Sequence, residues 1–333
     1  MSTLAGPEAR PGASDAEALT PTNARADHDP AVQKDRRRFW RRVRWAVRGA
    51  FLAAFLVVVM FGCANTLFYY PSRERWYSPQ EFGLRHEDVA IPTHDGLTLA
   101  GWFLPATGRA RGTIVHFHGN AANISNHVAL VCWLPQAGYN VLMFDYRGYG
   151  ESQGRVSRAG TIRDGHAAVD YVLTRPDVDR ERLAAFGQSL GGAVATVVAA
   201  ERPEIRAVVL DAAFSSYRRI ASRHLRRTLF VPPLCDGLAW LLVSGDFEPL
   251  QYVKRISPRP LLVVTSEQDD ICFAELGREL FEAAAEPKQY IMLREGEHLQ
   301  AVLDNQDEVQ RRILEFLRDA LTPAPPTQPG SAG

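Results

Sequence analysis

The sequence predicts an α/β fold, in which a mostly parallel central sheet carries helices on both faces. From about Glu87 onward, short apolar segments alternate with segments of helical length. The apolar segments run almost without polar interruption, as strands buried on both faces do, and their alternation with helices is typical of a parallel sheet. The chain has 333 residues, of which 46% are hydrophobic and 23% charged, so it suits one large domain or two ordinary ones.

Composition excludes some classes of function. The formal net charge is zero, so nothing indicates a nucleic-acid partner. The four cysteines show no paired C-x-x-C spacing, so they predict neither a zinc site nor a disulfide scaffold. They are Cys63, Cys132, Cys235 and Cys272. We expect no metal and no cofactor, and the sequence does not indicate an oligomeric state.

The N-terminal region predicts a membrane tether. Residues 1–33 are rich in Ala, Pro, Asp and Ser and are expected to be disordered. Lys34 to Arg48 contains eight basic residues and one acid, and the 22 residues from Gly49 to Tyr70 carry no charge. This pattern predicts a membrane segment or a signal h-region, although a solvated helix joined to a buried core helix is an alternative. Basic residues stay on the cytoplasmic side, so the rest of the chain is expected on the periplasmic or extracellular side.

Two short motifs leave the type of tether open. "RRRFW", from Arg36 to Trp40, is similar to a twin-arginine export signal, but the density of arginines weakens that likeness. "VMFGC", from Val59 to Cys63, is similar to a bacterial lipobox, in which Cys63 would become the acylated first residue of the mature protein. Alternatively, Cys63 lies within a membrane helix. We therefore divide the chain into a basic region (1–48), a membrane segment (49–70), a folded domain (71–321) and a Pro-rich tail (322–333).

The folded domain begins with an antiparallel hairpin, "HEDVAIPTHDGLTLAGWFLPA", whose turn contains His94, Asp95 and Gly96. Six later apolar segments are predicted strands: "GTIVHFHG", "YNVLMFDYRG", "RLAAFG", "IRAVVLDAAF", "RPLLVVTSEQ" and "KQYIMLREG". Helices are predicted at residues 121–136, 158–174, 190–201, 273–285 and 307–321.

A G-x-S-x-G string lies within "AAFGQSLGGAVATVVAA", from Ala184 to Ala200. Alone it is weak evidence for a reactive serine, because small residues also allow a helix to pack closely on a sheet. Here, however, "RLAAFG" is a predicted strand and "LGGAVATVVAA" a predicted helix, so Ser189 lies on the turn between them. Gly187 and Gly191 leave room for a strained backbone, and the helix N-terminus favours developing negative charge. The context predicts that Ser189 is a nucleophile.

A serine nucleophile needs a base and an acid that orients the base. His298, in "REGEHLQ", follows the last predicted strand, and "LLVVTSEQDD" ends on Asp269 and Asp270. Each has an ordinary interpretation, as a loop histidine or as turn aspartates. Together, in the order Ser, Asp, His and each after a strand, they predict a catalytic triad with either aspartate as the acid.

An earlier strand end supplies a candidate oxyanion site. In "VHFHGNAANIS", the backbone N–H of Asn120 is placed to act with that of Leu190 on a tetrahedral oxyanion. The pair His116 and His118 has metal-ligand spacing as an alternative. The further ligands that a metal site needs do not follow nearby, so we favour the oxyanion interpretation.

Several motifs together resemble the α/β-hydrolase superfamily, and more narrowly its membrane-anchored abhydrolase-domain serine hydrolases. They are "HFHGNAANIS", "FDYRGYGES", "TRPDVDRERLAAFGQSLGGA" and the late Asp/His pair, and the resemblance spans about residues 65–320. It implies an α/β-hydrolase fold with a small cap domain or none. It also implies a triad of Ser189, Asp269 and His298, with Asn120 and Leu190 as the oxyanion backbone.

The resemblance also bears on neighbouring residues. "TSEQDD" stands where the family often has His-Gly-x-x-Asp, and aligning the two implies that Asp269 is the acid and Asp270 a loop residue. Asp145 and Arg147 lie in the family's turn after a strand, where a structural brace is the expected role.

Residues 214–258 form the longest insertion near the predicted site and are too short for a large cap domain. Their apolar stretches are expected to line an acyl pocket, to face a bilayer or simply to form packed helices. Their arginines suit either anionic head groups or a solvated helix face. These are Arg218, Arg219, Arg223, Arg226 and Arg227.

The expected function is a membrane-tethered serine hydrolase that cleaves esters or thioesters of a small-molecule or lipid-like acyl substrate. The short insertion leads us to expect short to medium acyl chains. A serine peptidase or acyltransferase would use the same triad. A non-catalytic membrane-anchored scaffold is a further alternative, although a scaffold does not need a strained turn at a serine.

Overall fold

A computed structural model describes residues 34, 38–52, 55, 68–299 and 306–322. The chain divides into two compact units, residues 1–57 and 58–333. In the first unit, residues 38–52 are helical and largely exposed. No helix in the described ranges combines the length and apolar content that crossing a bilayer requires. Most of the predicted membrane segment, including Cys63, lies outside the described residues, so the tether stays a prediction.

The described residues of the second unit contain ten strands: β1 (Tyr70–Pro71), β2 (Glu87–Pro92), β3 (Thr98–Leu104), β4 (Gly112–Phe117), β5 (Ala121–Ala122), β6 (Tyr139–Phe144), β7 (Leu183–Gln188), β8 (Ile205–Asp211), β9 (Leu261–Ser266) and β10 (Lys288–Leu293). Eight of them form the central sheet in the order β10-β9-β8-β7-β4-β6-β3-β2. Strand β3 is antiparallel to both of its neighbours, and the other pairs are parallel. The predicted α/β class, mostly parallel sheet and N-terminal hairpin are confirmed.

Nine helices belong to the described part of this unit: α1 (Ile124–Val131), α2 (Trp133–Gln136), α3 (Arg158–Thr174), α4 (Leu190–Glu201), α5 (Tyr217–Leu229), α6 (Pro232–Leu242), α7 (Pro249–Tyr252), α8 (Ala274–Ala283) and α9 (Gln306–Leu321). Two short 3-10 turns span Pro79–Phe82 and Val253–Ile256. Helices α1 and α9 share an apolar cluster on one face of the sheet, whereas α3, α4 and α8 pack on the other. Strands β4, β6 and β7 are therefore buried along their whole length.

One strand pair was not predicted from the sequence. Strand β1 pairs in parallel with β5, so Ala121 and Ala122 belong to a short strand and not to the predicted helix at 121–136. Helix α1 begins only after Asn123, whose side chain accepts a hydrogen bond from the Ser125 N–H as an N-cap. Tyr69 is buried in the core, so the chain joins the folded unit before the boundary predicted after Tyr70.

The insertion at residues 214–258 contains α5 and α6, which pack against each other, followed by the short helix α7. The first residues of this segment, Phe214, Tyr217 and Ile220, pack into the apolar core beside α4. The insertion consists of these helices and a 3-10 turn and does not form a separate domain, in agreement with a small cap.

Candidate active site

Ser189 lies on a strained turn between β7 and α4. Its backbone angles are φ 55° and ψ −120°, a combination that residues with a side chain rarely adopt. A Cβ atom at Gly187 would lie 2.6 Å from the Gly191 carbonyl oxygen, and one at Gly191 would collide with the Phe117 carbonyl oxygen. The small residues around Ser189 are therefore a steric condition of this turn.

The structure brings the three predicted triad residues into one hydrogen-bonded chain. The His298 Nδ1 atom is 2.8 Å from Asp269 Oδ2, and its Nε2 atom is 2.9 Å from Ser189 Oγ. A carboxylate only accepts hydrogen bonds, so Nδ1 carries the proton and Nε2 is left to accept the Ser189 hydroxyl proton. This geometry suits general-base activation of a serine.

Asp269, and not Asp270, faces the imidazole. The second carboxylate oxygen of Asp269 accepts hydrogen bonds from the backbone N–H groups of Ile271 (2.9 Å) and Cys272 (2.8 Å). Burial opposes ionisation, but the hydrogen bonds from His298 and these N–H groups prevail and lower the pKa of Asp269. Asp270 points outward, with its side chain 65% exposed and 3.4 Å from the Arg227 guanidinium.

The predicted oxyanion groups lie beside the serine. Leu190 directly follows Ser189 at the first position of α4, and a Cβ atom at Gly119 would lie 3.6 Å from the Ser189 Cβ atom. Across the described ranges, the N–H groups of Asn120 and Leu190 donate to no protein acceptor. Both residues line the same cavity as Ser189 and His298, so both N–H groups are available to a developing oxyanion there.

Two tyrosines hold the Asn120 segment in place. The Tyr149 hydroxyl donates a 2.7 Å hydrogen bond to the Asn120 carbonyl oxygen. The backbone N–H of Tyr70 donates a 2.9 Å bond to Asn120 Oδ1. Sequence reasoning missed both residues. Tyr149 lies within the "DYRGYG" motif, which offered a signal, whereas Tyr70 was assigned to the membrane segment.

A buried polar chain lies under the turn. His116 Nε2 donates to Gln188 Oε1 (2.9 Å), and Gln188 Nε2 donates to Asp211 Oδ2 (2.9 Å). The backbone N–H of Ser189 donates to the Asp211 carbonyl oxygen (2.9 Å). Burial lowers the pKa of His116 to about 3 and raises that of Asp211 to about 6. His116 is therefore a neutral structural donor at neutral pH.

The expected brace after β6 is present. Arg147 Nη2 lies 2.7 Å from Asp164 Oδ1, and Arg147 Nη1 lies 2.8 Å from Asp95 Oδ2. Asp145 accepts a 2.9 Å hydrogen bond from the Ile124 backbone N–H at the start of α1. Neither Asp145 nor Arg147 lines the cavity beside Ser189. Their contacts fix the loop after β6 and the start of α1, which suits a structural role.

One set of metal-type ligands occurs within the described ranges, namely Asp269, Cys272 and His298, whose ligand atoms lie within 4.8 Å of one another. Neither His116 nor His118 belongs to such a set. Asp269 and His298 already hydrogen bond to each other, and burial raises the pKa of the Cys272 thiol well above its ordinary value. Because a metal binds the thiolate, this set fits proton transfer better than metal binding.

Cys272 is a site neighbour that the sequence did not indicate. Its Sγ atom lies 3.6 Å from Ser189 Oγ, and the side chain is buried in the cavity wall. As a neutral thiol it contributes apolar surface next to Ser189. Its position depends on the turn after Asp269, which no periodic pattern marks.

The cavity beside Ser189 has a volume of about 810 Å³, within the range typical of small-molecule sites. Most of its wall is apolar, and its polar lining residues include Ser189, His298 and Asn120. Helices α5 and α6 supply much of that wall: Ile220, Ala221, Leu225, Leu238, Ala239 and Leu242. The short insertion therefore encloses more volume than its length suggested, because both helices present an apolar face to the serine.

Comparisons with known proteins identify the family of this chain. A family model described as serine aminopeptidase, S33, matches residues 108–243. The uncharacterized protein YfhR of Escherichia coli (strain K12) is 38% identical over 280 residues, which cover 82% of this chain and 94% of YfhR. The alpha/beta hydrolase domain-containing protein WAV2 of Arabidopsis thaliana is 35% identical over 253 residues, 72% of this chain and 81% of that relative. This chain belongs to the α/β-hydrolase superfamily.

Solved structures of α/β-hydrolases share the fold. An esterase of Pyrococcus furiosus superposes with a TM-score of 0.64 at 23% identity, covering 77% of this chain and 98% of that one. Acetyl xylan esterase 1 of Thermoanaerobacterium sp. gives a TM-score of 0.55 at 18% identity, covering 76% and 97%. At these identities the likeness establishes the fold alone, and the substrate has to be inferred from the site.

Proposed function

We propose that this α/β-hydrolase is a membrane-tethered serine hydrolase that cleaves carboxylic esters or thioesters with an apolar acyl group. The observation that carries the proposal is the hydrogen-bonded chain from Asp269 through His298 to Ser189, of which His298 and Ser189 line a mostly apolar cavity. The tether rests on the basic run followed by the uncharged segment from Gly49 to Tyr70.

In the proposed reaction, His298 Nε2 takes the Ser189 hydroxyl proton while Oγ attacks the acyl carbonyl carbon. The carbonyl electron pair moves to oxygen, and the N–H groups of Asn120 and Leu190 stabilise that oxyanion. The bond to the leaving oxygen or sulfur then breaks, and His298 returns its proton to the departing group. Water, deprotonated by the same imidazole, releases the carboxylic acid and regenerates Ser189.

The cavity supports an apolar acyl chain of more than a few carbons. Each buried methylene contributes about 0.8 kcal/mol, so kcat/KM should rise up to about fourfold per added methylene while the chain stays inside. The family-model description favours a peptidase as a second candidate. A mostly apolar wall suits an acyl chain better than the polar backbone of a peptide, so we expect amides to be cleaved more slowly.

The direct test is labelling with a fluorophosphonate, followed by hydrolysis of p-nitrophenyl esters from acetate to laurate and of matched amides. Ser189→Ala should lose labelling and at least about 10³-fold in kcat. Ser215→Ala is a matched control, because Ser215 is buried outside the cavity. Undiminished hydrolysis by folded Ser189→Ala protein would refute the serine mechanism, and amides cleaved faster than esters would favour the peptidase.

A further inference from the structure

The loop that joins α5 and α6, with the exposed side of α6, forms an apolar tip. Six large apolar side chains between residues 229 and 241 are exposed. They are Leu229, Phe230, Val231, Leu234, Trp240 and Leu241. Single exposed apolar residues are ordinary, but a concentration of this kind indicates an interaction surface. Phe230 is 79% exposed and Trp240 is 66% exposed.

The backbone at the tip is also unusual. Phe230 ends α5 in the left-handed conformation, with φ 53°, where glycine is the common residue because it has no Cβ atom. A bulky aromatic residue there costs conformational energy that a glycine would avoid. Phe247 and Phe273 adopt similar φ values elsewhere in the fold, so what distinguishes Phe230 is that its ring is exposed.

The apolar tip borders the cavity that contains Ser189. Thr228 lines the cavity and directly precedes the tip. In α6, Leu238 lines the cavity, and it lies four residues after Leu234 and three before Leu241, on the same side of the helix. The exposed Ile271 lines the cavity from the loop after β9. The apolar surface is therefore continuous from the tip into the cavity.

The segment that precedes the fold leads to the same cavity. The uncharged sequence from Gly49 onward continues to Phe68 and Tyr70 without an intervening polar linker, and both of these residues line the cavity. Phe68 is the first described residue of the second unit, so the described chain of this unit begins at the cavity wall.

Three arginines next to the tip are paired with acids. Arg223 lies 2.8 Å from Glu275, Arg226 lies 2.7 Å from Asp236, and Arg227 lies 3.4 Å from Asp270. Arg218 also lies next to the tip, with its guanidinium 5.5 Å from the Trp240 ring and its Nε donating to the Val243 carbonyl oxygen. The charges around the tip are therefore mostly compensated, with a small positive excess. Such a surface suits the headgroup region of a bilayer, with the apolar rings entering the acyl boundary, better than it suits a polyanion.

We propose that the apolar tip docks on the surface of a phospholipid bilayer and that acyl substrates pass from the bilayer along it into the cavity. The passage of substrate rests on the proposed ester or thioester hydrolysis, whereas the docking does not. A second copy of this chain is the competing occupant of the tip, and the experiments below separate the two.

The first experiment measures the position of the tip without using catalysis. The full chain is reconstituted into phosphatidylcholine vesicles that contain brominated acyl chains, which quench tryptophan within the bilayer. Trp240→Phe should lower the fraction of tryptophan emission that the brominated chains quench, whereas Trp76→Phe should leave that fraction unchanged. Trp76 is 38% exposed and lies outside the tip and the cavity, so it is the matched control. Equal quenching in the wild type and Trp240→Phe would overturn the proposal.

The second experiment measures delivery of substrate. Phe230→Asp should lower kcat/KM for p-nitrophenyl laurate held in vesicles by about tenfold or more, and leave soluble p-nitrophenyl acetate within about twofold. Phe230→Leu keeps an apolar side chain and should retain most of the vesicle activity. Tyr77→Asp, at an exposed aromatic away from the cavity, is the control for added charge. Equal vesicle activity in Phe230→Asp and Phe230→Leu would overturn the proposal.

The outcomes also separate docking from the proposed chemistry. If the wild type does not hydrolyse acetate at all, the proposed function fails, and the quenching of Trp240 still decides the docking. The molar mass of the protein in detergent micelles is measured by sedimentation. If Phe230→Asp halves this molar mass and Trp240 is not quenched, the tip is an interface between copies, and bilayer docking is overturned.

Discussion

At the scale of single residues, two adjacent aspartates have different environments because one backbone turn separates their directions. Asp269 is fixed by two backbone N–H groups on one oxygen and by His298 on the other. Asp270 has no such constraint and lies 3.4 Å from Arg227 at the surface. Fixing the carboxylate fixes the imidazole, and so the Nε2 atom that faces Ser189.

Substituting each aspartate tests this assignment. In Asp269→Asn the amide oxygen can still accept from Ile271 and Cys272, so we expect the fold to persist. Its NH₂ group cannot accept the His298 Nδ1–H bond, and the wrong tautomer should lower kcat by about 10³–10⁴-fold. Asp270→Asn should lower kcat by about tenfold at most. Ester hydrolysis by both variants at one pH, with thermal unfolding as the fold control, measures the difference. The opposite ranking would contradict the assignment.

Asp145 supports a second prediction, on stability against pH. Burial raises its pKa to about 7, although the Ile124 N–H bond acts in the opposite direction. The folded state then keeps a proton that the unfolded chain loses near pH 4. The contribution of Asp145 to the free energy of unfolding is therefore largest below pH 4 and is lost as the pH rises to about 7. An asparagine can accept the same bond without ionising.

We therefore expect Asp145→Asn to gain stability relative to the wild type by up to about 1.4 kcal/mol per pH unit between pH 4 and 7, and to gain no more above pH 7. Comparing the two proteins removes the contributions of other titrating groups. Urea unfolding at pH 5, 6, 7 and 8 gives the differences in free energy. A difference that does not change with pH would show that Asp145 is ionised in the folded protein.

At the scale of elements, hydrophobic period and turn residues predicted most of the fold. The bounds predicted for α3 and α4 match the structure, because an N-cap Ser157 and the strained Ser189 mark their starts. The pair β1–β5 could not be predicted, since two residues carry no period. The cavity wall depends on which faces of α5 and α6 turn inward, and that is a tertiary property.

The residues of the candidate site were likewise predicted only in part from the sequence. Ser189 and His298 were predicted from their places after strands, whereas the choice of Asp269 needed a family resemblance, because the residues leaving a strand have no fixed direction. Cys272 and Tyr70 reach the site through turns and a short strand that no local pattern reveals.

Two glycines test the steric argument at the element scale. A methyl group at Gly191 would collide with the carbonyl oxygens of Phe117 and His118 and displace the Asn120 turn. Gly191→Ala should lower the free energy of unfolding by about 1–3 kcal/mol and kcat by about 10²-fold or more. Gly237, within α6, has open space around it, so Gly237→Ala should stabilise by about 0.5–1 kcal/mol.

Chemical denaturation and hydrolysis of a soluble ester measure both effects on the two variants. Gly237→Ala serves as the matched control, because it adds the same methyl group to a helix. A Gly191→Ala protein with wild-type activity would show that the turn beside Ser189 tolerates a side chain.

At the scale of the whole molecule, the segment before the sheet belongs to the folded unit. Tyr69 is buried in the core, Phe68 packs on Tyr217 with ring centroids 5.2 Å apart, and Tyr70 holds Asn120 through its backbone N–H. In the sequence, the predicted tether therefore runs directly into residues that hold the Asn120 segment in place. Removing the tether without damaging the site requires a cut before Phe68.

Two shortened chains and the full chain test this arrangement together. The full chain should sediment with membranes, and a chain beginning at Phe68 should be recovered mostly in the supernatant with wild-type hydrolysis of soluble esters. A chain beginning at Pro71 loses the buried Tyr69 ring, so its free energy of unfolding should fall by about 3 kcal/mol or more. It also loses the Tyr70 bond to Asn120, so its kcat should fall below that of the longer form. Equal stability and activity of the two shortened chains would show that residues 68–70 do not support the site.

The intact mass of the membrane form then identifies the tether. A diacylglyceryl group on a chain beginning at Cys63 would establish the lipobox, whereas an unprocessed N-terminus would establish a membrane helix, because only signal cleavage exposes the Cys63 amine.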